Sequence, residues 1–190
     1  VTAVVKDWFQ VDKEGLAAIL KRRGVEFALF ELVSNALDTQ ARTVSISLEP
    51  GNRLTMVTVT DDDPSGFADL AHAFTLFAPS TKKSALAKRG RFNLGEKLVL
   101  AICDEAEIQS TTGMVSFKKE GRRVSNRAVD RRLHGSLFHG KLRMTREEAA
   151  RAATALKTLI VPPGVTFNVN GALVTPREPI ASFAATLATE

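Results

Sequence analysis

Between Val25 and Ala41 apolar residues fall at Phe27, Phe30, Val33 and Leu37, with Leu29, Leu32 and Ala36 beside them. That is the spacing of a helix with a broad buried face. Directly after it the period changes. Thr43 to Glu49 and Arg53 to Thr60 are rich in Val, Ile and Thr with alternation, and Glu49-Pro50-Gly51-Asn52 between them is turn chemistry, so a hairpin is predicted. A core-packed helix running into a hairpin narrows the chain to folds that layer helices on a sheet.

Further elements extend this pattern. A helix is expected over 13–22, a short helix over 67–74 after the Asp61-Asp62-Asp63-Pro64-Ser65-Gly66 break, and an exposed loop over 78–91. Leu94 to Cys103 reads as a helix. Strands are expected over 106–112, 114–119, 122–125, 136–144 and 165–169, with Gly113 and Gly121 at turns. Thr145, with Glu148 three residues on, caps a helix over 145–159. The order implies a layered α/β sandwich with mixed strand directions.

A chain of 190 residues fits one domain, 1–190, and 44% hydrophobic with 25% charged residues is ordinary globular composition. Apolar runs such as 98–103 are too short to span a bilayer and no signal peptide is seen, so the cytoplasm is the expected compartment. The lone cysteine, Cys103, sits in an apolar run and reads as a small buried hydrophobe. The net charge of +5 conceals two basic clusters, Lys82 to Arg91 and Lys118 to Arg132, each either a solvated loop or a surface for polyanions. The first residue is Val1, which leaves open that the chain is the N-terminal part of a longer protein.

Three segments carry chemistry. Glu31, Asn35 and Asp38 share one helix stripe, and Glu26 to Ala41 contains no basic residue, unlike a solvated face that mixes charges. A carboxylate and an amide oxygen one turn apart can serve a hard cation and a water. Next, Asp63-Pro64-Ser65-Gly66 reads as a type I turn, yet three successive carboxylates repel unless a site engages one. An Asp there could accept a hydrogen bond from an exocyclic amine. Finally, Gly90-Arg91-Phe92-Asn93-Leu94-Gly95-Glu96-Lys97 runs from a loop into a helix start, where glycines and free N–H groups suit phosphate.

Taken in order, these segments resemble the GHKL ATPases, the superfamily of gyrase B, heat-shock chaperones, histidine kinases and mismatch-repair proteins, over about residues 7–170. The resemblance implies a two-layer α/β sandwich of the Bergerat type, a mixed sheet with helices on one face, binding ATP with Mg2+. It implies Glu31 as general base, Asn35 as magnesium ligand and Asp38 beside it. It further implies Asp62, with Gly66, as adenine anchor, and Gly90, Phe92, Asn93, Leu94 and Gly95, with Lys97, as the phosphate cradle. Thr81 and Lys82 resemble the start of an ATP lid, and Ser136 stands where a Gly-Thr pair would help hold adenine. Within the superfamily the 8–10 opening and the 90–97 segment look like rapid-lysis A-like ATP-binding proteins of phages and bacteria, which implies host cytoplasm if the chain is phage-encoded. Pro64 and Asn93 replace family glycines.

Three functions follow as expectations. The first is a slow ATPase with lid closure and ATP-driven homodimerisation. Pro64 and Asn93 motivate the second, a nucleotide-binding switch without turnover, and the 118–132 cluster motivates a nucleic-acid-binding module. A histidine kinase is disfavoured, since His72, His134 and His139 lack a phospho-acceptor setting.

Overall fold

The computed structural model describes residues 12–67, 69–75, 95–177 and 181. Helix α1 (Lys13–Arg23) opens with the Asp12 side chain accepting the Gly15 N–H and closes at Gly24, whose φ of 91° turns the chain straight into α2 (Val25–Leu37). Such a left-handed turn suits a residue without Cβ. The apolar stripe of α2 buries Ala28, Leu29, Leu32, Val33, Ala36 and Leu37.

Helix α2 stops at Leu37, four residues short of the expectation. Thr39 Oγ1 donates to the Ala36 carbonyl at 2.7 Å. The N–H groups of Gln40, Arg42 and Thr43 then go to carboxylates of Asp63 and Asp62 instead of to helical carbonyls.

The hairpin forms as expected from β1 (Thr43–Pro50) and β2 (Thr55–Asp61), in register from Val44 opposite Asp61 to Pro50 opposite Thr55. Its alternation puts Val44, Ile46, Leu48, Val57 and Val59 on one buried face. The expected helix over 67–74 is only a 3-10 turn at Leu70–Ala73, capped by Asp69. Helix α3 (Gly95–Ile102) passes directly into β3 (Cys103–Ser110), which continues through β4 (Gly113–Lys118) and β5 (Gly121–Ser125). After a 3-10 turn at Ala128–Asp130 come β6 (Leu137–Leu142), α4 (Arg146–Leu156), β7 (Thr166–Val169) and the short β8 (Ala172–Leu173). Thr145 and Glu148 make the expected capping box at α4, with reciprocal bonds of 3.1 and 2.7 Å.

The eight strands form one sheet in the order β5-β4-β3-β6-β2-β1-β7-β8. Among the described residues only β1 and β7 pair in parallel, so the sheet is mixed. Helices α2 and α4 pack on β1, and α3 beside α2, all on the face carrying the buried residues. The fold is therefore an α/β sandwich with helices on one face. Its core centres on Leu29, Val33, Ile46, Val57, Val99, Leu142, Leu156 and Phe167, each under 2% exposed. Burying a side chain of this size contributes about 1.5–3 kcal/mol. No helix among the described residues is long and apolar enough to cross a membrane.

Candidate nucleotide site

Strand β2 delivers three carboxylates in a row at its exit, and each meets a different environment. Side chains alternate along a strand, so Asp61 follows Val57 and Val59 onto the helix-covered face while Asp62 points the other way. Asp61 Oδ1 accepts the N–H of Asp63 at 3.0 Å and of Ser136 at 3.2 Å. Burial raises its pKa above the usual carboxylate value, with the two N–H groups pulling the other way. Among the described residues Oδ2 has no hydrogen-bond partner.

Asp62 is committed elsewhere. Its Oδ1 accepts the N–H of Arg42 at 2.7 Å and of Thr43 at 2.9 Å, tying the entry of β1 to the exit of β2. Slight burial opposes ionisation, but these N–H groups outweigh it and hold the carboxyl below its usual range. Asp63 is buried, its two oxygens taken by Gln40 N and Ser65 N at 3.0 and 2.8 Å. Through Gln40 it fixes the end of α2, two residues past Asp38, against the carboxylate row.

A β-turn is present over 63–66, with Gly66 N donating to the Asp63 carbonyl at 3.2 Å. A clasp of hydroxyls from the β3–β4 turn holds it. Ser110 Oγ accepts Phe67 N at 2.5 Å, Thr111 Oγ1 donates to Ser65 O, and Thr112 Oγ1 donates to Phe67 O, both at 2.7 Å. Gly66 has φ +57°, and a Cβ there would strike Ser110 Oγ. Across the mouth, Gly135 (φ +73°) packs so tightly that a Cβ would collide with the Asp61 carbonyl oxygen. That contact seats Ser136 beside Asp61, where each backbone bonds the other residue: Asp61 N to Ser136 O at 3.1 Å, Ser136 N to Asp61 Oδ1.

Above the sheet, α2 carries Glu31 and Asn35 and ends at its C-cap Asp38, all three half-buried. Burial, and then the charge of Asp38, raise the pKa of Glu31 above 4.5. A carboxylate so placed is a stronger base than a solvated one. Lys97, 5% exposed, sits on the neighbouring α3. Thr81, Lys82, Gly90, Phe92, Asn93 and Leu94 lie outside the described residues.

A mixed sheet with helices on one face defines an α/β domain, and its carboxylates gather where a central strand exits beside a helix end. The family of histidine kinase-, DNA gyrase B- and HSP90-like ATPases matches residues 23–134, more than half of the chain, and the chain belongs to it. Membership supports ATP binding. A comparison with curated proteins gave no match.

Proposed function

We propose that the domain binds Mg-ATP with the adenine amine on Asp61 and the triphosphate between α2 and the start of α3, and hydrolyses it slowly. One observation carries this reading: Asp61 keeps one oxygen without a partner among the described residues, in a half-buried mouth beside Ser136. In this proposal Asp61 takes the anchoring role expected of Asp62, whose carboxylate serves two backbone N–H groups. The Ser136 hydroxyl adds a second polar contact for the base, and Gly66 serves by letting the turn close against Ser110.

Glu31 is the proposed general base, positioned to take a proton from the attacking water, its basicity raised by burial and by Asp38. Asn35 fits a magnesium ligand. Magnesium needs only one or two protein oxygens beside phosphate and water, and Asn35 offers one, half-buried, a helical turn from Glu31. When bound, the ion would offset phosphate charge. Lys97 and the amino end of α3 supply positive charge on the phosphate side. Segment 78–91 carries five cations and no carboxylate, which suits a lid over a triphosphate that starts at Thr81 and Lys82, while Gly90, Phe92, Asn93, Leu94 and Gly95 are the proposed phosphate cradle. Closure would drive homodimerisation, in the cytoplasm, where ATP is supplied. A switch without turnover is the second reading, favoured by Pro64, which has no N–H to offer in the turn beside Asp61.

Calorimetry with ATP at several magnesium concentrations, together with single-turnover phosphate release, tests the reading. Glu31→Ala should bind ATP and lose roughly 100- to 10,000-fold in rate, since a base acts in the transition state. Asn35→Ala should lose magnesium-dependent affinity as well. Wild-type protein that binds ATP without releasing phosphate selects the switch, and protein that binds no ATP refutes both. Protection of 78–91 from proteolysis by a nonhydrolysable analogue, and an ATP-dependent mass doubling in sedimentation, test the lid and the dimer.

A further inference from the structure

We propose that the β4–β5 hairpin and the loop after it form a docking surface for the phosphate backbone of duplex DNA. The charge of the chain is divided unevenly. Lys118 to Arg132 holds seven cations against two carboxylates and 78–91 holds five against none, whereas all the remaining residues hold 14 cations against 19 carboxylates. The first cluster is thus a local excess on an otherwise acidic body. The nucleotide site gives 78–91 a use and leaves 118–132 without one.

The structure displays this cluster outward. Strand β5 is the outermost of its sheet, and every residue from Lys118 to Val124 is exposed. Because Arg123 lies opposite Ser116 and Arg122 opposite Phe117, the ribbon carries cations on both faces. A two-stranded ribbon with charge on both faces suits a groove flanked by two lines of phosphate, and the major groove of duplex DNA admits one. A peptide strand added to β5 would bring carboxylates along one line only.

The following loop is braced in a way that keeps its charge. Ser125 Oγ and Arg127 Nε both donate to Asp130 Oδ2, at 2.5 and 2.8 Å, and hold that carboxyl below its usual pKa range, Arg127 most of all. Arg131 Nε and Nη2 donate to the Asn126 carbonyl at 2.9 and 2.7 Å, and Arg132 Nε to the His134 carbonyl at 3.3 Å. Arg122 lies 3.6 Å over the Phe74 ring. Carbonyls and a ring fix a guanidinium without neutralising it, and fixed guanidinium forks match phosphate oxygens. Among the described residues, only Arg127 of this stretch forms an ion pair with a carboxylate. The stretch contains no aromatic residue on which an unpaired base could stack, so the duplex backbone, rather than a single strand, is the ligand.

Fluorescence anisotropy of a labelled 20-bp DNA duplex against the full chain, without nucleotide, over a range of salt concentrations tests this. About four to six phosphate contacts predict a slope of log K on log salt near −4 to −5. The triple variant K118Q/K119Q/R123Q, which spares the bracing residues, should flatten that slope by two or more and leave thermal melting unchanged. The control K21Q/R22Q, on α1, should change it little. Absence of binding at 50 mM salt, an unchanged slope in the triple variant, or an equal loss in the control overturns the proposal. So does binding of a polyglutamate peptide or phosphatidylserine vesicles as tight as that of the duplex at the same salt.

Discussion

Asp61→Asn and Asp62→Asn change adjacent residues to which the proposed site gives opposite uses. In Asp61→Asn the amide oxygen can still accept the N–H groups of Asp63 and Ser136, at 3.0 and 3.2 Å in the parent, so the mouth keeps its shape. The second atom becomes an NH2 donor and meets the amine of adenine donor to donor. A hydrogen bond to a charged group contributes about 1.5–3 kcal/mol, so ATP affinity should fall roughly 10- to 150-fold. Affinity for GTP, whose base presents a carbonyl at that position, should fall less or rise. Asp62→Asn retains an oxygen for Arg42 N and Thr43 N at the surface, so ATP affinity should stay within about twofold and stability within about 1 kcal/mol. Calorimetry with both nucleotides, beside thermal melting of each variant, supplies the comparison. The assignment fails if Asp62→Asn suffers the larger loss of ATP affinity, or if Asp61→Asn binds ATP like the parent.

Other outcomes are open to direct measurement. Because the free-enzyme pKa of Glu31 is raised and the base must be ionised, the acid limb of kcat/KM for ATP should lie above pH 4.5 and vanish in Glu31→Gln; a limb at or below that value contradicts the role. Gly135→Ala should cost about 2 kcal/mol or more in denaturant unfolding, through its Cβ collision, whereas Gly121→Ala, with open space at φ +115°, should cost only about 1 kcal/mol of backbone strain; equal costs would show that the Asp61 contact is slack. Burial pushes the Cys103 thiol up to about 12, so at pH 8 a thiol reagent should label it about a thousandfold more slowly folded than unfolded, and rapid labelling of native protein would place it at the surface.

Much of the architecture was legible because period and punctuation agree. Val44, Ile46 and Leu48 alternate cleanly, Thr145 and Glu148 announce α4, and the stripe of α2 has no rival reading. The end of α2 was not legible, because Thr39 and the distant Asp62 and Asp63 capture N–H groups that helical propensity would have kept in the helix. At the site, Ser136 and Asp62 both came to light through resemblance. Counting parity from Val57 and Val59 also places Asp61, in step with the buried valines, on the face of the helix layer. The hydroxyl clasp of Ser110, Thr111 and Thr112 could be seen only as a polar run, because its targets lie more than forty positions away in the sequence.

The position of β6 carries a consequence for how the protein is made. Residues 23–134 contain two separate ribbons, β1–β2 and β3–β4–β5, and the sheet order leaves them without a shared edge until β6 enters between β2 and β3. A chain cut at 134 would hold most of the family's signature and yet split its sheet along the seam where Asp61 meets Ser136. Pairings of long sequence separation close slowly, because the loop entropy is lost before the contacts form. In a chain made from its amino end, the junction of Asp61 with Ser136 therefore waits on β6, the strand that must enter between the two ribbons.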